Sequence, residues 1–234
     1  PYEGPLREAT AGRVAVLEPR LWVRPEFALC RYLAVGIAVL QAVESAAAGM
    51  RTDLATLADV LDAEALRNSA ARDVVTNAAK SLADRMTGRG VVFTGDNAAT
   101  LALARHLSIV LLRVAHQSAA ATGLADAMAA LADGMGVGMG SASSGFDALF
   151  HDEELDGPLP ERPRVLALTL AGERQLVGAR VANMTDIDLV GTEDVPDGAG
   201  LVATPVETGR PEQQLAVLAV RVEMAAVYMR LARG

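Results

Sequence analysis

Apolar positions in this chain change period several times, and each change marks an expected element. Residues 25 to 48 carry Leu29, Leu33, Ile37, Leu40 and Val43 at helical spacing, with Gly36 the one weak position. A short strand candidate at 13–17 precedes that helix and ends at Pro19. Thr52-Asp53 is placed to cap a second helix running through Leu61. A third is expected from Glu64 to Met86, with Leu66, Ala70, Val74, Ala78 and Leu82 on one face.

The period then drops. Val91, Val92 and Phe93 form a β-branched and aromatic run that stops at Thr94-Gly95-Asp96-Asn97, and an Ala- and Leu-rich helix follows directly. Gly95 permits a tight turn, and Asp96 or Asn97 can accept from the first free helical N–H groups. Strand, turn and helix in that order open a parallel α/β sheet. In such sheets ligands sit just past the carboxyl ends of the strands, where helix N-termini favour anions. The new helix either runs on through Leu112 or breaks near Ser108, and Ser108 to Leu112 also fits a buried strand. A short helical piece at Gly123 to Ala132 precedes a Gly-, Ser- and Pro-rich connection from Gly134 to Pro163. Arg164 to Leu170 (RVLALTL) reads as a buried strand, followed by a helix from Glu173 to Asn183 and strands at Ile187 to Val190 and Gly200 to Thr204. The last helix spans Pro211 to Arg233, with Thr208-Gly209 ahead of its first turn. Its two apolar stripes interleave, so burial on most sides is expected, against the sheet and against either a missing domain or a second copy.

Composition narrows the function classes. Of 234 residues 51% are hydrophobic but 3% aromatic, so Ala, Val and Leu must build the core. The net charge of −8 argues against a nucleic-acid partner. Lys80 is the sole lysine among 21 basic residues, a sign of coding bias more than of chemistry. One cysteine, Cys30, leaves no internal disulfide and no multi-cysteine metal site. The run Tyr32 to Leu40 is well short of the roughly 20 residues that cross a bilayer, so no membrane span and a cytoplasmic location are expected. Pro1 and the stretch PYEGPLREATAG read as mid-domain sequence, which suggests a portion of a longer protein.

Few residues offer chemistry. Thr94, Asn97 and Thr100 are placed to hold a phosphate or sugar hydroxyl at the helix start, though a plain cap explains them as well. Asp96 opposes a dianion there unless it turns away. Arg174 and Arg180 can reach the same crevice or serve as surface charges. His106 and His116 read as partly buried histidines with satisfied nitrogens, and three scattered histidines make no metal pair. The Gly134 to Gly140 run departs from the dinucleotide pattern, with Met139 where a third glycine would fall. No cofactor is expected.

Three stretches resemble a known family. RPEQQLAVLAVRVEMAAVYMRLARG (210–234) is similar to the last helix of the bacterial and archaeal bifunctional phosphoglucose/phosphomannose isomerases, including the acidic residue, here Glu223. VRPEFALCRYLAVGIAVLQAV (23–43) resembles that family's linker helix, and RPRVLALTL with ERQLVGARVAN resembles its late βα unit. The shorter TobH-like branch of high-GC bacteria is the nearer likeness. The resemblance implies a three-layer α/β/α fold of the SIS (sugar isomerase) type, a parallel sheet flanked by helices and preceded by a helical linker region. It divides the chain into the end of a truncated first SIS domain (1–24), a helical linker (25–88) and a second SIS domain (89–234). It also implies a hexose 6-phosphate ligand, a homodimer, and aldose–ketose chemistry needing a carboxylate base and an acid for ring opening. The carry-over by residue is thin. LLRVAHQ (111–117) lacks the family's glutamate, Arg24 and Arg31 stand near its Pro-Arg, and His151 and Glu154 in FHDEELDG (150–157) match its His-Asn-Glu segment. Degraded catalysis with retained phosphosugar binding, an active glucose/mannose 6-phosphate isomerase, and a non-catalytic dimerisation scaffold are all open on the sequence.

Overall fold

The computed structural model describes residues 21–43, 52–135, 163–192 and 210–233. Among these residues four parallel strands form one sheet: β1 (Val91–Gly95), β2 (Ala119–Gly123), β3 (Arg164–Leu168) and β4 (Ile187–Val190), in the spatial order β2-β1-β3-β4. The register is flush, with Gly95 opposite Gly123 on one side and Leu168 on the other. Among the described residues seven α-helices accompany the sheet: α1 (Leu29–Val43), α2 (Leu54–Arg67), α3 (Ala78–Met86), α4 (Ala98–Val110), α5 (Leu124–Ala132), α6 (Ala171–Val181) and α7 (Pro211–Ala232). The architecture is the expected three-layer α/β/α.

Strand alternation assigns the layers. Val91, Phe93, Leu166, Leu168 and Val190 face a core shared with α3, α4 and α7. Val92, Val165, Ala167 and Ile187 face α5 and α6. The step from β1 to β2 therefore crosses one face and the step from β3 to β4 the other. Opposite directions of travel require that when every crossover has the same hand.

Several elements differ from the sequence reading, each for a local reason. The helix expected from Glu64 to Met86 is two. α2 ends at Asn68, whose side chain turns back onto Glu64, and after a 3-10 turn at Val74–Thr76 the Asn77 side chain caps α3 by accepting from Lys80 N–H at 2.9 Å. Ser108 to Leu112 is helix and not strand, since α4 passes into a wide π turn (Leu111–Ala115) that closes at His116, φ +53°. β2 is a strand of Ala119-Ala-Ala-Thr-Gly123, with no β-branched residue before Thr122 to announce it. The segments around 13–17, 134–163 (from 136 on) and 200–204 lie outside the described residues.

Helix α7 is buried along most of its length, but by its own chain: α1, α2, α3 and α4 pack on it. No missing domain or second copy is needed to cover it, which corrects the expectation drawn from its double stripe. The 98–115 stretch is apolar and long enough for a membrane span, yet Leu103, Leu107, Val110 and Leu111 on it are core residues against the sheet.

Candidate functional site

β1 is flanked by β2 on one side and β3 on the other, and the chain winds away from it in both directions. The crevice past the carboxyl ends of β1 and β3 is thus the switch point of the sheet, where this class of fold places ligands. Two turns form its lips, Asp96-Asn97 ahead of α4 and Thr169-Leu170 ahead of α6.

Gly95 sets the first lip. A Cβ there would lie 2.3 Å from Leu101 N and 2.6 Å from Thr100 Oγ1, so only glycine lets the start of α4 fold back this tightly on the strand end. Asn97 then caps α4: its Oδ1 accepts from the Ala99 and Thr100 N–H groups, both at 2.9 Å. Thr100 Oγ1 returns the contact by accepting from Asn97 N–H at 3.3 Å, which completes a capping box. Asp96 does turn away, pairing with Arg180 Nη1 at 2.6 Å. The dianion objection raised by Asp96 is answered by that guanidinium.

The second lip brings a residue the sequence reading did not single out as functional. Glu173, in the first turn of α6, accepts from Leu170 N–H at 3.1 Å through Oε1 and from Asn97 Nδ2 at 2.6 Å through Oε2. It therefore ties the two lips across the switch point. Beside it Arg174 Nη1 donates to Thr169 Oγ1 at 3.3 Å, and Ala171 N–H donates to Gln214 Oε1 of α7 at 2.7 Å. Asp96, Glu173, Arg174 and Arg180 give the crevice two charges of each sign, and the N-termini of α4 and α6 add positive dipole ends. The available signal was positional: a Thr ending a buried strand, with Glu and Arg in the next helical turn.

Thr94 stands beneath this arrangement. It is fully buried in β1, and its Oγ1 has no hydrogen-bond partner among the described residues. A buried hydroxyl left unpaired costs about 1–3 kcal/mol, and among the described residues Glu64 Oε2, Arg85 Nε and Arg164 Nε are likewise buried without a hydrogen bond.

The remaining candidates lie elsewhere. Arg24 pairs with Glu26, as does Arg113 at 2.8 Å. Arg113 follows the start of α4 by fifteen residues, roughly 22 Å of helix, so this cluster belongs to the end of α4 remote from the crevice. Arg31 Nη2 donates to Leu21 O at 2.7 Å and makes no bond to the crevice. The structure thus groups Asn97 and Thr100 at the start of α4, puts the Thr94 side chain on the α5/α6 side of the same strand end, and sets Arg24 and Arg31 apart. His151 and Glu154 lie outside the described residues. His106 meets Glu223 of α7, Nε2 to Oε1 3.0 Å, and burial pushes the Glu223 carboxyl up while the His106 contact opposes the shift. Burial, then the Glu223 charge, pushes the Cys30 thiol up to about 12. Among the described residues no cluster of His, Cys, Asp and Glu is arranged to hold a metal ion.

No protein-family model matches the sequence, and no curated protein matches it. Among solved structures, one described as the crystal structure of a glucose-6-phosphate isomerase like protein from Thermus thermophilus superposes with a TM-score of 0.51 at 18% sequence identity. The match covers 93% of this chain and 62% of that one, so the chain spans less than two thirds of that protein's length. At that identity the likeness is one of fold: the chain shares that protein's α/β/α architecture, with its own crevice between β1 and β3.

Proposed function

We propose that this chain is a sugar-phosphate-binding lobe of the SIS type, related to the glucose/mannose 6-phosphate isomerases and taking a hexose 6-phosphate at the β1/β3 crevice. The single observation that carries the reading is Thr94, an unpaired hydroxyl buried at the carboxyl end of β1 on the α5/α6 side of the sheet. The ligand's phosphate end would take the positive ends of α4 and α6, drawing on Arg180 or Arg174, and a ligand hydroxyl would satisfy Thr94. The fold likeness supports the sugar-isomerase class; SIS membership and the TobH-like branch are part of the proposal. So is the division into an end of a first domain, a linker and a second domain.

Binding without efficient turnover is the primary reading, because the segment 111–117 offers no carboxylate where the family's glutamate would stand. Glu173 supports a second reading. It is a carboxylate in the crevice, placed to exchange its Asn97 contact for a substrate C–H or O–H, so aldose–ketose isomerisation by this chain within its full protein is the alternative. Calorimetric titration with fructose 6-phosphate and glucose 6-phosphate, paired with an interconversion assay, separates them. Saturable binding weakened about tenfold by Thr94→Val, without turnover, is the expected result. Turnover abolished by Glu173→Gln would favour the isomerase, and no binding by the folded protein would remove both.

A further inference from the structure

Glu173 does more than cap its own helix. Standing third in α6, it reaches back in the usual way, Oε1 accepting from the Leu170 N–H at 3.1 Å. Its second oxygen crosses the crevice. Oε2 accepts from Asn97 Nδ2 at 2.6 Å, and Asn97 Oδ1 in turn holds the Ala99 and Thr100 N–H groups at the start of α4. One carboxylate is thereby bound at the starts of two helices at once. Helix starts facing a switch point are where this class of fold receives a ligand's anionic group. In the free chain that place is taken by a carboxylate of its own.

The surrounding charges leave no surplus for a second anion. Arg180 Nη1 lies 2.6 Å from both oxygens of Asp96, and Arg174 Nη1 donates to Thr169 Oγ1 at 3.3 Å. Asp96 and Glu173 thus cancel Arg174 and Arg180 before any ligand arrives. A phosphate entering beside a seated Glu173 meets a like charge, an arrangement that strongly disfavours binding. Something has to move, and the first lip cannot. A Cβ on Gly95 would already lie 2.3 Å from Leu101 N, so the start of α4 is packed hard on the strand end, and Asn97 is fixed by its two N–H partners. Glu173, by contrast, is partly exposed on a rotatable stem.

We propose that Glu173 is the specificity-determining residue of the crevice: a tethered carboxylate that fills the place of a ligand's phosphate and swings out of it when a phosphorylated sugar binds. This deepens the sugar-phosphate reading and rests on it. The contacts given up, to Leu170 N–H and Asn97 Nδ2, are the ones the phosphate takes over. An anion with nothing else to offer gains little from that exchange, since one negative group merely replaces another. A sugar phosphate adds hydroxyls, and Thr94, unpartnered on the side of the sheet that α6 covers, has a hydroxyl to pair with one of them. Glu173 in this way disfavours free phosphate and admits its sugar ester.

Calorimetric titration of the folded parent and of Glu173→Gln with fructose 6-phosphate, inorganic phosphate and unphosphorylated fructose tests it. Glutamine keeps the length of the side chain and an acceptor for the Leu170 N–H but gives up the charge. The dissociation constants of the variant for fructose 6-phosphate and for inorganic phosphate should both fall at least tenfold. The two should fall by the same factor, because the displacement is common to both, and fructose should gain nothing. In the parent, saturation with fructose 6-phosphate should shift the Leu170 backbone amide and the Asn97 side-chain amide together, since both lose the same carboxylate. A parent that binds fructose 6-phosphate more tightly than Glu173→Gln does, or equally, would overturn the role of Glu173 and leave the sugar-phosphate reading standing. So would an equal gain for fructose, which would make the opening of the crevice and not the charge responsible, or amides at Leu170 and Asn97 that stay still at saturation. Binding of neither phosphate ligand by either folded protein would remove the reading and the inference together.

Discussion

Two polar clusters sit past the carboxyl ends of strands in this fold, and they are built on opposite terms. Beyond β4, Arg221 of α7 is 3% exposed and donates to Glu64 Oε1, Gly191 O and Thr192 O at 2.7, 2.7 and 2.8 Å. Asn68 donates to the same Glu64 oxygen, accepts from Ala79 N–H, and receives the Tyr228 hydroxyl on its carbonyl. That cluster joins α2, α3, α7 and the end of β4. Beyond β1 and β3, the same kinds of group pair between partly exposed partners: Asp96 through both oxygens with Arg180 Nη1, and Asn97 with Glu173. Under them Thr94 is left without a partner among the described residues. In the Arg221 cluster each guanidinium nitrogen donates to an acceptor and the cluster is structural, although Glu64 Oε2 has no hydrogen bond there and only a 3.7 Å ion pair to Arg67. Where water reaches the side chains, contacts can be exchanged for a ligand's at little cost. The difference separates a buried, structural cluster at Arg221 from a more exposed one at the crevice, where the proposed ligand site lies.

Substitutions that strain this contrast are ordered by expected effect. Arg221→Met leaves the buried Glu64 carboxylate with only the Asn68 hydrogen bond and the 3.7 Å contact to Arg67, and should cost about 3–5 kcal/mol in urea unfolding. Adding Glu64→Gln should restore a good part of that loss. A cost under about 1 kcal/mol would show that the cluster is not the joint described here. Gly95→Ala comes next, at about 2–3 kcal/mol, because the new Cβ meets backbone of α4 that cannot swing aside. It should be read by thermal melting, with loss of sugar-phosphate binding in whatever fraction folds.

Glu223→Gln tests an intermediate case, a buried carboxyl with a single partner. Burial raises the folded Glu223 above its ordinary value of 4.5, and the His106 contact offsets only part of that shift. A raised folded value favours the folded state at acid pH, and that advantage is lost as pH climbs through the raised value. The variant should therefore match the parent near pH 4 and exceed it by about 1 kcal/mol above the window. Melting temperatures from pH 4 to 8 check this, and a parent that gains on the variant as pH rises would refute it. Arg180→Gln is the smallest change, less than about 1 kcal/mol because the Asp96 pair is partly exposed. Its larger effect should be weaker hexose 6-phosphate binding, read by calorimetry.

The sequence carried the crevice better than it carried the helices around it. Thr94, Gly95, Asn97 and Thr100 are adjacent in the chain, so one strand–turn–helix pattern exposes their roles as a unit. The β4 boundaries, Ile187 to Val190, were equally plain because β-branched and aliphatic residues end at a glycine. β2 was not foreseen, since a strand of alanines owes its conformation to Val91–Gly95 alongside it and not to local preference. The break at Asn68 was hidden because apolar spacing carries across it, and the decisive contacts, to Glu64 and Ala79, are tertiary. Glu173 escaped for the same reason: its meaning lies in Asn97, 76 residues away in the chain.

Amide chemical-shift mapping of the folded protein during titration with fructose 6-phosphate tests the central claim most directly. Saturable shifts should concentrate at 94–101 and 169–174, the two lips of the switch point, and should vanish with Thr94→Val while the Arg221 region stays still in both. Saturable shifts centred anywhere else, or none at ligand concentrations that saturate sugar-phosphate enzymes, would contradict the assignment of the crevice.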